Sequence, residues 1–532
     1  MTRARAMWSV TAAVVALAGA TTGSAQRAAI GREVAIARHL ADGDEFTLTL
    51  AALIGHGRVL FAANWTDQDG GGRPATKGTG DPLSRAAAPL TGARAFNRVS
   101  GPDANGCQGC HNRPNGLQAG AGDFVSNAFV LAQRFDYITF DRKDAQSGSG
   151  AVDEGQRAVS LATVGNPRSA PSLLGAGYLE MLARQMTEDL QRTRDGIAAG
   201  RSARLVSKGI SFGTLSRDAD GKWNTRAVQG LPAQSVAVTG AEGKPSLVIR
   251  PWHQSGSAVS LREFTNTAYN QHHGIQTAER FGTDADPDGD GVKNEMTRAD
   301  VTAVTIFLAA LPVPGRVIPN DVVVERAVLA GERAFDQVGC TRCHVAELPL
   351  ERRGWMYSEP GPFNPAGNLR RGEARAVTLD LTDAALPSPR LTPSRENASV
   401  IRVPAYTDFK LHDITDPADR GAAEPLDMNQ PPGSRAFLAG NRKFLTRRLW
   451  GAASHPAHFH HGLFTTLRQA VLAHAGEALA ERQAFQRLAA DQQDAVIEFL
   501  KSLQLLPPGT KARIVDEQYR PKPWPPATLP TY

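Results

Sequence analysis

The 532-residue sequence predicts a mainly α-helical protein with two similar domains in tandem, a small β-containing insertion and long irregular loops. The first observation is a doubled pattern, Gly-x-Arg-Ala-Phe followed by Cys-x-x-Cys-His, which occurs once in each half of the chain. The second is a stretch of alternating residues with turn signals between the two copies, which is typical of short strands. The third is the composition, because 51 Gly and 34 Pro favour long irregular connections.

The N-terminal segment has the pattern of a secretory signal peptide. Arg3 and Arg5 precede an Ala/Val-rich apolar stretch that closes with small residues ending at Ala25. We therefore expect residues 1–25 to be removed on export. No later segment offers about 20 uninterrupted apolar residues, so we expect a soluble, periplasmic protein without a membrane span. The net charge of +6 comes from charges scattered along the chain, which gives no support to nucleic-acid binding.

All four cysteines belong to two Cys-x-x-Cys-His motifs, which we call the clips. The first clip is Cys107, Cys110 and His111, and the second clip is Cys340, Cys343 and His344. This spacing is typical of c-type haem attachment, in which two thioethers hold the porphyrin and the histidine binds the iron. A zinc ribbon keeps its cysteine pairs about 15 to 20 residues apart, and a redox disulfide leaves both histidines unexplained. The pattern predicts two covalently bound haem c groups.

The similarity of the two halves extends upstream of the clips. "GARAFNRV" at residues 92–99 and "GERAFDQV" at residues 331–338 share Gly-x-Arg-Ala-Phe, and residues 100–105 are an insertion before the first clip. Each copy predicts a helix with a buried Phe that leads into a clip. The second axial ligand of each iron then decides the chemistry, because an occupied position favours electron transfer and an open one permits peroxide or oxygen chemistry.

A C-terminal helix carries a candidate for such a ligand. Thr466 and Gln469 form a capping-box pattern, and Leu467, Val471 and His474 then recur at helical spacing on one face. On this pattern alone, His474 is either an iron ligand or a core histidine.

Several blocks of the chain resemble the bacterial di-haem cytochrome c peroxidase superfamily, and most closely its di-haem oxidoreductase branch. The blocks are Phe459-His460-His461-Gly462 with Thr466-Leu467, residues 168–180, residues 406–413 and the closing helix "LAADQQDAVIEFLKSL". The resemblance implies that His474 binds the C-terminal iron opposite His344, where the peroxidases have Met. It also implies a catalytic role for His460. His461 departs from the family pattern, which has Asp at that place.

The ligand opposite His111 stays open. The candidates are His56, His253, His272 and His273, each of which is alternatively a surface or packing histidine. In the related peroxidases the N-terminal iron becomes the open, peroxide-binding one. Glu180 is then, by its position, the candidate acid for proton transfer during oxygen–oxygen cleavage. Alternatively, Glu180 only stabilises a helix N-terminus.

An acidic loop between the clips has the spacing of an EF-hand-type calcium site. Its oxygen ligands are Asp284, Asp286, Asp288, Asp290 and Glu295, with Gly289 at the turn. Five carboxylates held together repel one another without a cation, which favours calcium over a solvated loop that caps the following helix. The related peroxidases carry a calcium ion between their haems.

These observations predict a definite domain order. The segments are a signal peptide (1–25), an N-terminal haem domain (26–200), the insertion (201–320), a C-terminal haem domain (321–510) and a tail (511–532). The resemblance implies an enzyme in which a small electron-donor protein, a cytochrome or cupredoxin, reduces the C-terminal haem and the N-terminal haem reduces hydrogen peroxide. Two alternatives stay open: a di-haem electron carrier, and an enzyme that oxidises an organic or protein substrate.

Overall fold

The computed structural model describes most of the chain. The described residues are 30–71, 104–128, 165–238, 243–286, 290–418, 423–424, 427–430, 434–454 and 457–526. The predicted signal peptide, residues 92–99, Asp288 and Gly289 lie outside them. Helices make up 34% and strands 15% of the structure, and the strands form several small sheets. The prediction of a mainly α-helical fold is therefore wrong, because many connections expected to be irregular pair into short ribbons.

Short helices alternate with a few long ones. In the described part of the chain, the α-helices are α1 (Leu50–Ala62), α2 (Cys107–Cys110), α3 (Ala176–Asp195), α4 (Ala233–Val236), α5 (Leu261–Ala268), α6 (Ala278–Phe281), α7 (Arg298–Ala310), α8 (Val322–Gln337), α9 (Arg435–Leu438), α10 (Leu467–Leu472), α11 (Leu479–Arg487) and α12 (Ala490–Ser502). A π-helical turn, Tyr269–His273, follows α5. The longest helix, α3, is buried over its first three turns, because Tyr178, Leu182 and Met186 face the core.

The strands are short and most sheets have two of them. The described strands are β1 (Phe124–Ala128), β2 (Gly165–Ser169), β3 (Arg201–Ser207), β4 (Ile210–Arg217), β5 (Trp223–Asn224), β6 (Gly315–Val317), β7 (Leu348–Glu351), β8 (Met356–Glu359), β9 (Val377–Asp380), β10 (Val400–Val403), β11 (Leu411–Asp413), β12 (Lys443–Leu445), β13 (Leu503–Gln504) and β14 (Ile514–Val515). β3, β4 and β5 form the antiparallel sheet of the insertion. β6 lies between β13 and β14, which ties the last part of the chain to the start of its second half.

Two helix pairs of the same construction stand beside the two clips. α1 crosses α7 at Gly57, where a Cβ atom would lie 2.0 Å from the Ala303 carbonyl oxygen. α8 crosses α12 at Gly331, where a Cβ atom would lie 1.9 Å from the Ala495 carbonyl oxygen. Only glycine lets the backbones approach this closely, so each crossing depends on it.

Each helix pair also carries a phenylalanine one turn after its glycine. Phe61 packs against a phenylalanine of α7, with ring centres 5.5 Å apart, and against His111 at 6.2 Å. Phe335 packs against a phenylalanine of α12 at 5.3 Å and against His344 at 6.2 Å. The two pairs therefore hold the two clip histidines in equivalent ways.

One large apolar core joins α1, α3 and α7 to strands β7 to β10. A smaller apolar cluster lies between α8 and α12, beside the second clip. Within the described residues, no helix has the length and apolar character needed to cross a membrane.

Asp300 is a buried carboxylate that ties the N-terminal segment to α7. It accepts hydrogen bonds from His39 Nδ1 at 2.6 Å, His56 Nε2 at 2.8 Å and the Leu40 N–H at 3.1 Å. Burial alone would raise its pKa, but the two histidines and the backbone donor lower the pKa of Asp300 to about 2 from an ordinary 3.8. The resulting stability is present above pH 3.8 and is lost as the pH falls towards 2.

We expect Asp300→Asn to lower the free energy of unfolding at pH 7 by about 2 kcal/mol, since the pKa shift of nearly two units sets that scale. Chemical denaturation of wild type and variant at several pH values measures the difference. The two proteins should converge as the pH falls through about 2 to 4. A difference that stays constant over that range would contradict the assignment.

Candidate functional site

Both clips open into a single cavity of about 520 Å³. In the first clip α2 contains both cysteines, and in the second a 3-10 turn, Cys340–Arg342, begins at the first cysteine and is followed directly by Cys343. The backbone N–H of each clip histidine donates to the carbonyl of its first cysteine at 3.0 Å. The two clips thus share one local geometry and present all six of their side chains to the same space.

None of the four cysteines forms a disulfide in the structure. Burial raises the pKa of Cys107 and of Cys340 to about 12. Both thiols are therefore neutral at physiological pH. The fold does not need a disulfide within either clip, and the cysteines remain available for thioether formation.

The second clip faces another histidine. The ring centres of His344 and His474 are 6.4 Å apart and the ring planes make an angle of 67°. Imidazole nitrogens bind transition metals at about 2.0–2.1 Å, so two rings that share one ion have centres about 6 Å apart. The observed separation fits an iron ion held between these two residues.

The hydrogen bonds of both rings leave Nε2 available. His344 Nδ1 donates to the Tyr406 carbonyl oxygen at 3.2 Å, and His474 Nδ1 donates to the Ala470 carbonyl oxygen at 2.8 Å. Burial lowers the pKa of His344 to about 4 and also lowers the pKa of His474. Both imidazoles are therefore neutral, with Nε2 as the free acceptor, which is the form that binds metals.

The first clip lacks such a partner. His111 Nδ1 donates to the Gly120 carbonyl oxygen at 3.3 Å, and burial lowers the pKa of His111 to about 4, as at the second clip. Its ring contact is Phe61. Among the described residues, no histidine is in ring contact with His111 as His474 is with His344, but His272 is near enough that its charge adds to the effect of burial on the pKa of His111.

The four histidines considered for that place have different positions. His56 is bound to Asp300, outside the cavity lining. His273 donates from Nδ1 to the Ala104 carbonyl oxygen at 2.7 Å, and its Nε2 lies 3.4 Å from Cys107 Sγ. His253 and His272 line the cavity, and His272 is near both His111 and His253, since its charge adds to burial in lowering the pKa of each.

Glu180 lies on α3 behind the cavity wall. Its carboxylate is fully buried and accepts hydrogen bonds from Arg184 at 2.6 Å and from the Leu261 N–H at 2.6 Å. Arg184 also binds Glu359 at 3.1 Å. The adjacent Leu179, and not Glu180, lines the cavity. These bonds indicate that Glu180 connects α3 to neighbouring elements, and they give no support to proton transfer by Glu180.

His460 lies in the cavity wall on the side of the second clip. Its ring packs edge-on against Phe444, with centres 3.8 Å apart, and against Phe459 at 4.7 Å. Burial holds the pKa of His460 well below its ordinary value. The ring of Phe459 also contacts His474 at 5.4 Å. The block Phe459–Gly462 therefore builds the surroundings of the second clip, and a catalytic role for His460 stays a prediction.

Two arginines of the cavity wall were not predicted from the sequence. Arg447 Nη1 donates to Ser169 Oγ at 2.6 Å, and Arg448 Nη2 donates to the Ser172 carbonyl oxygen at 2.6 Å. Burial lowers the pKa of Arg447 to about 10 and of Arg448 to about 9. Such shielded cations favour a carboxylate-bearing occupant, and haem carries carboxylates. The adjacent arginines after β12 were the sequence signal for this basic wall. They did not stand out because the charged residues are scattered along the whole chain.

The acidic loop makes hydrogen bonds of its own. Asp286 accepts from the N–H groups of Asp290 and Gly291 at 3.1 Å, and Asp284 pairs with Asn294 at 2.8 Å. Another residue of the proposed ligand set, Glu295, accepts from the Gln276 N–H at 2.6 Å. Calcium binding by this loop stays a prediction.

Comparison with known families agrees with this geometry. Residues 398–503 match the family described as "Di-haem oxidoreductase, putative peroxidase". The match confirms the resemblance to the di-haem oxidoreductase branch, and its name indicates haem cofactors and an oxidoreductase. The matched segment contains Arg448, His460 and His474 but begins after the second clip. No curated protein matches the chain.

Proposed function

We propose that the chain is a periplasmic di-haem c-type oxidoreductase that reduces hydrogen peroxide with electrons from a small donor protein, a cytochrome or cupredoxin. The observation that carries the proposal is the difference between the two clips. His474 is in ring contact with His344 at 6.4 Å, whereas no ring contact joins His111 to a second histidine among the described residues. One closed and one open iron site suit an enzyme that collects electrons at one centre and reduces a small oxidant at the other.

The residues present fit two haem groups. The residues that would hold them are Cys107, Cys110 and His111 at the first clip, and Cys340, Cys343, His344 and His474 at the second. When bound, haem supplies reversible one-electron chemistry and, where an axial position is open, a place for peroxide to bind.

The chain's own residues prepare this site. Bonds from Nδ1 to backbone carbonyls orient the imidazoles and make Nε2 more basic. Phe61 and Phe335 pack against the clip histidines and keep water from them. The guanidinium of Arg448 donates to a backbone carbonyl and stacks over Trp252 at 5.7 Å. Its positive charge would balance the negative charge of a haem carboxylate.

The test is the electron paramagnetic resonance and absorption spectrum of the ferric protein, after mass spectrometry has established how many haems are covalently attached. We expect two attached haems, one low-spin signal and one high-spin signal, with the high-spin signal lost on addition of peroxide. Two low-spin signals that do not respond to peroxide would overturn the proposal and favour the electron-carrier alternative.

A further inference from the structure

His253 occupies a backbone position that most residues avoid. It lies in the turn enclosed by the bridged residues Trp252 and Ala258, and its φ angle is 58°. A left-handed backbone costs a residue with a Cβ atom about 1–2 kcal/mol, which glycine avoids. Residues held in this way are found preferentially at functional sites. The position therefore suggests that the imidazole itself is needed.

The side chain of His253 carries a second cost. Its Nε2 atom is shielded from solvent and has no hydrogen-bond partner in the described structure. Leaving such a nitrogen without a partner costs about 1–3 kcal/mol. The ring contacts Phe264 at 5.2 Å, and burial lowers the pKa of His253 to about 3. The imidazole is thus neutral, and its Nε2 is an unprotonated hydrogen-bond acceptor that faces the cavity.

His253 stands where two cavities meet. It lines the large cavity that holds both clips and also a smaller cavity of about 90 Å³. Arg168 and Gln254 are shared by the two linings, so the cavities adjoin. Glu263 and Arg280 add further polar groups to the smaller one. This space suits a few water-sized polar molecules, and hydrogen peroxide is of that size and polarity.

We propose that His253 is an acid–base catalytic residue of the cavity beside the first clip, and that the small polar cavity admits the hydrogen peroxide. The inference rests on the proposed peroxidase function. The imidazole takes the proton from one peroxide oxygen and returns it to the other, so that the O–O bond breaks and one oxygen leaves as water. Two electrons from the donor protein and two protons from solvent convert the remaining oxygen to the second water.

The geometry favours this role over that of an iron ligand. The ligand pair His344 and His474 is in ring contact, whereas His253 has no ring contact with His111. For this role hydrogen peroxide must bind between His111 and His253, with the His253 imidazole within hydrogen-bond reach of the peroxide oxygens, as general acid–base catalysis demands.

The decisive experiment is His253→Asn in the haem-loaded protein, read out by the rate of cyanide binding to the ferric N-terminal haem. Asn tolerates the left-handed backbone, so the fold is retained while the base is lost. Hydrogen cyanide must give up a proton to bind as the anion, and we expect binding to slow by about 100-fold or more. In His253→Gly, added imidazole should restore the rate.

The assignment would be overturned if His253→Asn bound cyanide at a rate within about threefold of wild type, or if His272→Asn slowed binding equally. Conversion of a low-spin signal to a high-spin signal in His253→Asn would also overturn it, because it would identify His253 as an iron ligand. The two proposals fail separately. Slow cyanide binding in the variant of a protein that does not reduce peroxide would keep His253 as the acid–base residue of the cavity but overturn the peroxidase function and the role of His253 towards peroxide. Normal peroxide turnover with unchanged cyanide binding would do the reverse.

Discussion

Replacing His474 with alanine should convert the low-spin C-terminal haem into a high-spin, ligand-accessible one while leaving the N-terminal signal unchanged. The reason is geometric, because His474 is the histidine in ring contact with His344 across the cavity and its Nε2 is available. We expect peroxide turnover with the protein donor to fall roughly 10- to 100-fold or more. Losses of that size follow even when a residue that only hydrogen-bonds to a metal ligand is replaced. Electron paramagnetic resonance and steady-state kinetics measure both effects.

His474→Met is the matched control for His474→Ala. Methionine can bind the iron, so we expect this variant to remain low-spin with a higher reduction potential at the C-terminal haem. Added imidazole should restore the low-spin signal in His474→Ala. If His474→Ala keeps both ferric signals of the wild type, His474 is a core histidine, and its assignment as the second ligand of the C-terminal iron is wrong.

The site could be predicted from the sequence where local spacing carries the chemistry. Cys107 to His111 and Cys340 to His344 are contiguous motifs, and the structure brings both into one cavity. His474 was selected because a resemblance gave weight to one histidine on the apolar face of a helix, whereas spacing alone left it undecided; its role as an iron ligand stays a prediction. In the sequence His253 was only one of four candidate histidines for the first clip, because its left-handed backbone and unpaired Nε2 depend on the turn it occupies.

The fold was less predictable for a related reason. Strands of three or four residues, such as β7 (Leu348–Glu351) and β10 (Val400–Val403), pair across about fifty residues of chain, and such short segments show little periodicity. The surroundings of Glu180 could not be predicted for a similar reason, and its catalytic role stays a prediction. Glu180 and Arg184 are one turn apart on α3, but the second ion pair of Arg184, with Glu359 of β8, becomes visible only when α3 packs against that strand.

The repeated helix crossing is a further feature that local sequence similarity did not show. The copy of Gly-x-Arg-Ala-Phe at residues 92–99 lies outside the described residues, and the helix that crosses α7 beside the first clip is α1. Gly57 and Phe61 of α1 have the same four-residue spacing as Gly331 and Phe335 of α8. Positions four residues apart lie on the same face of a helix. Each helix that supports a clip therefore needs a glycine at the crossing and an aromatic ring one turn later on that face.

That requirement gives a prediction with an internal control on one helix. Gly57→Ala places a Cβ atom against the Ala303 carbonyl, and we expect the free energy of unfolding to fall by about 1–3 kcal/mol or more. At Gly55, two residues earlier in α1, a Cβ atom would meet nothing within 4 Å. Gly55→Ala should therefore raise stability by about 0.5–1 kcal/mol, because alanine is the better helix former.

Calorimetry of the two alanine variants and of Gly331→Ala measures these effects. Gly331→Ala should resemble Gly57→Ala, since its Cβ atom would lie 1.9 Å from the Ala495 carbonyl oxygen. Each crossing variant should disturb the spectrum of its own haem first, because Phe61 and Phe335 pack on His111 and His344 respectively. Equal melting temperatures for Gly55→Ala and Gly57→Ala would show that the α1–α7 crossing does not hold the first clip in place.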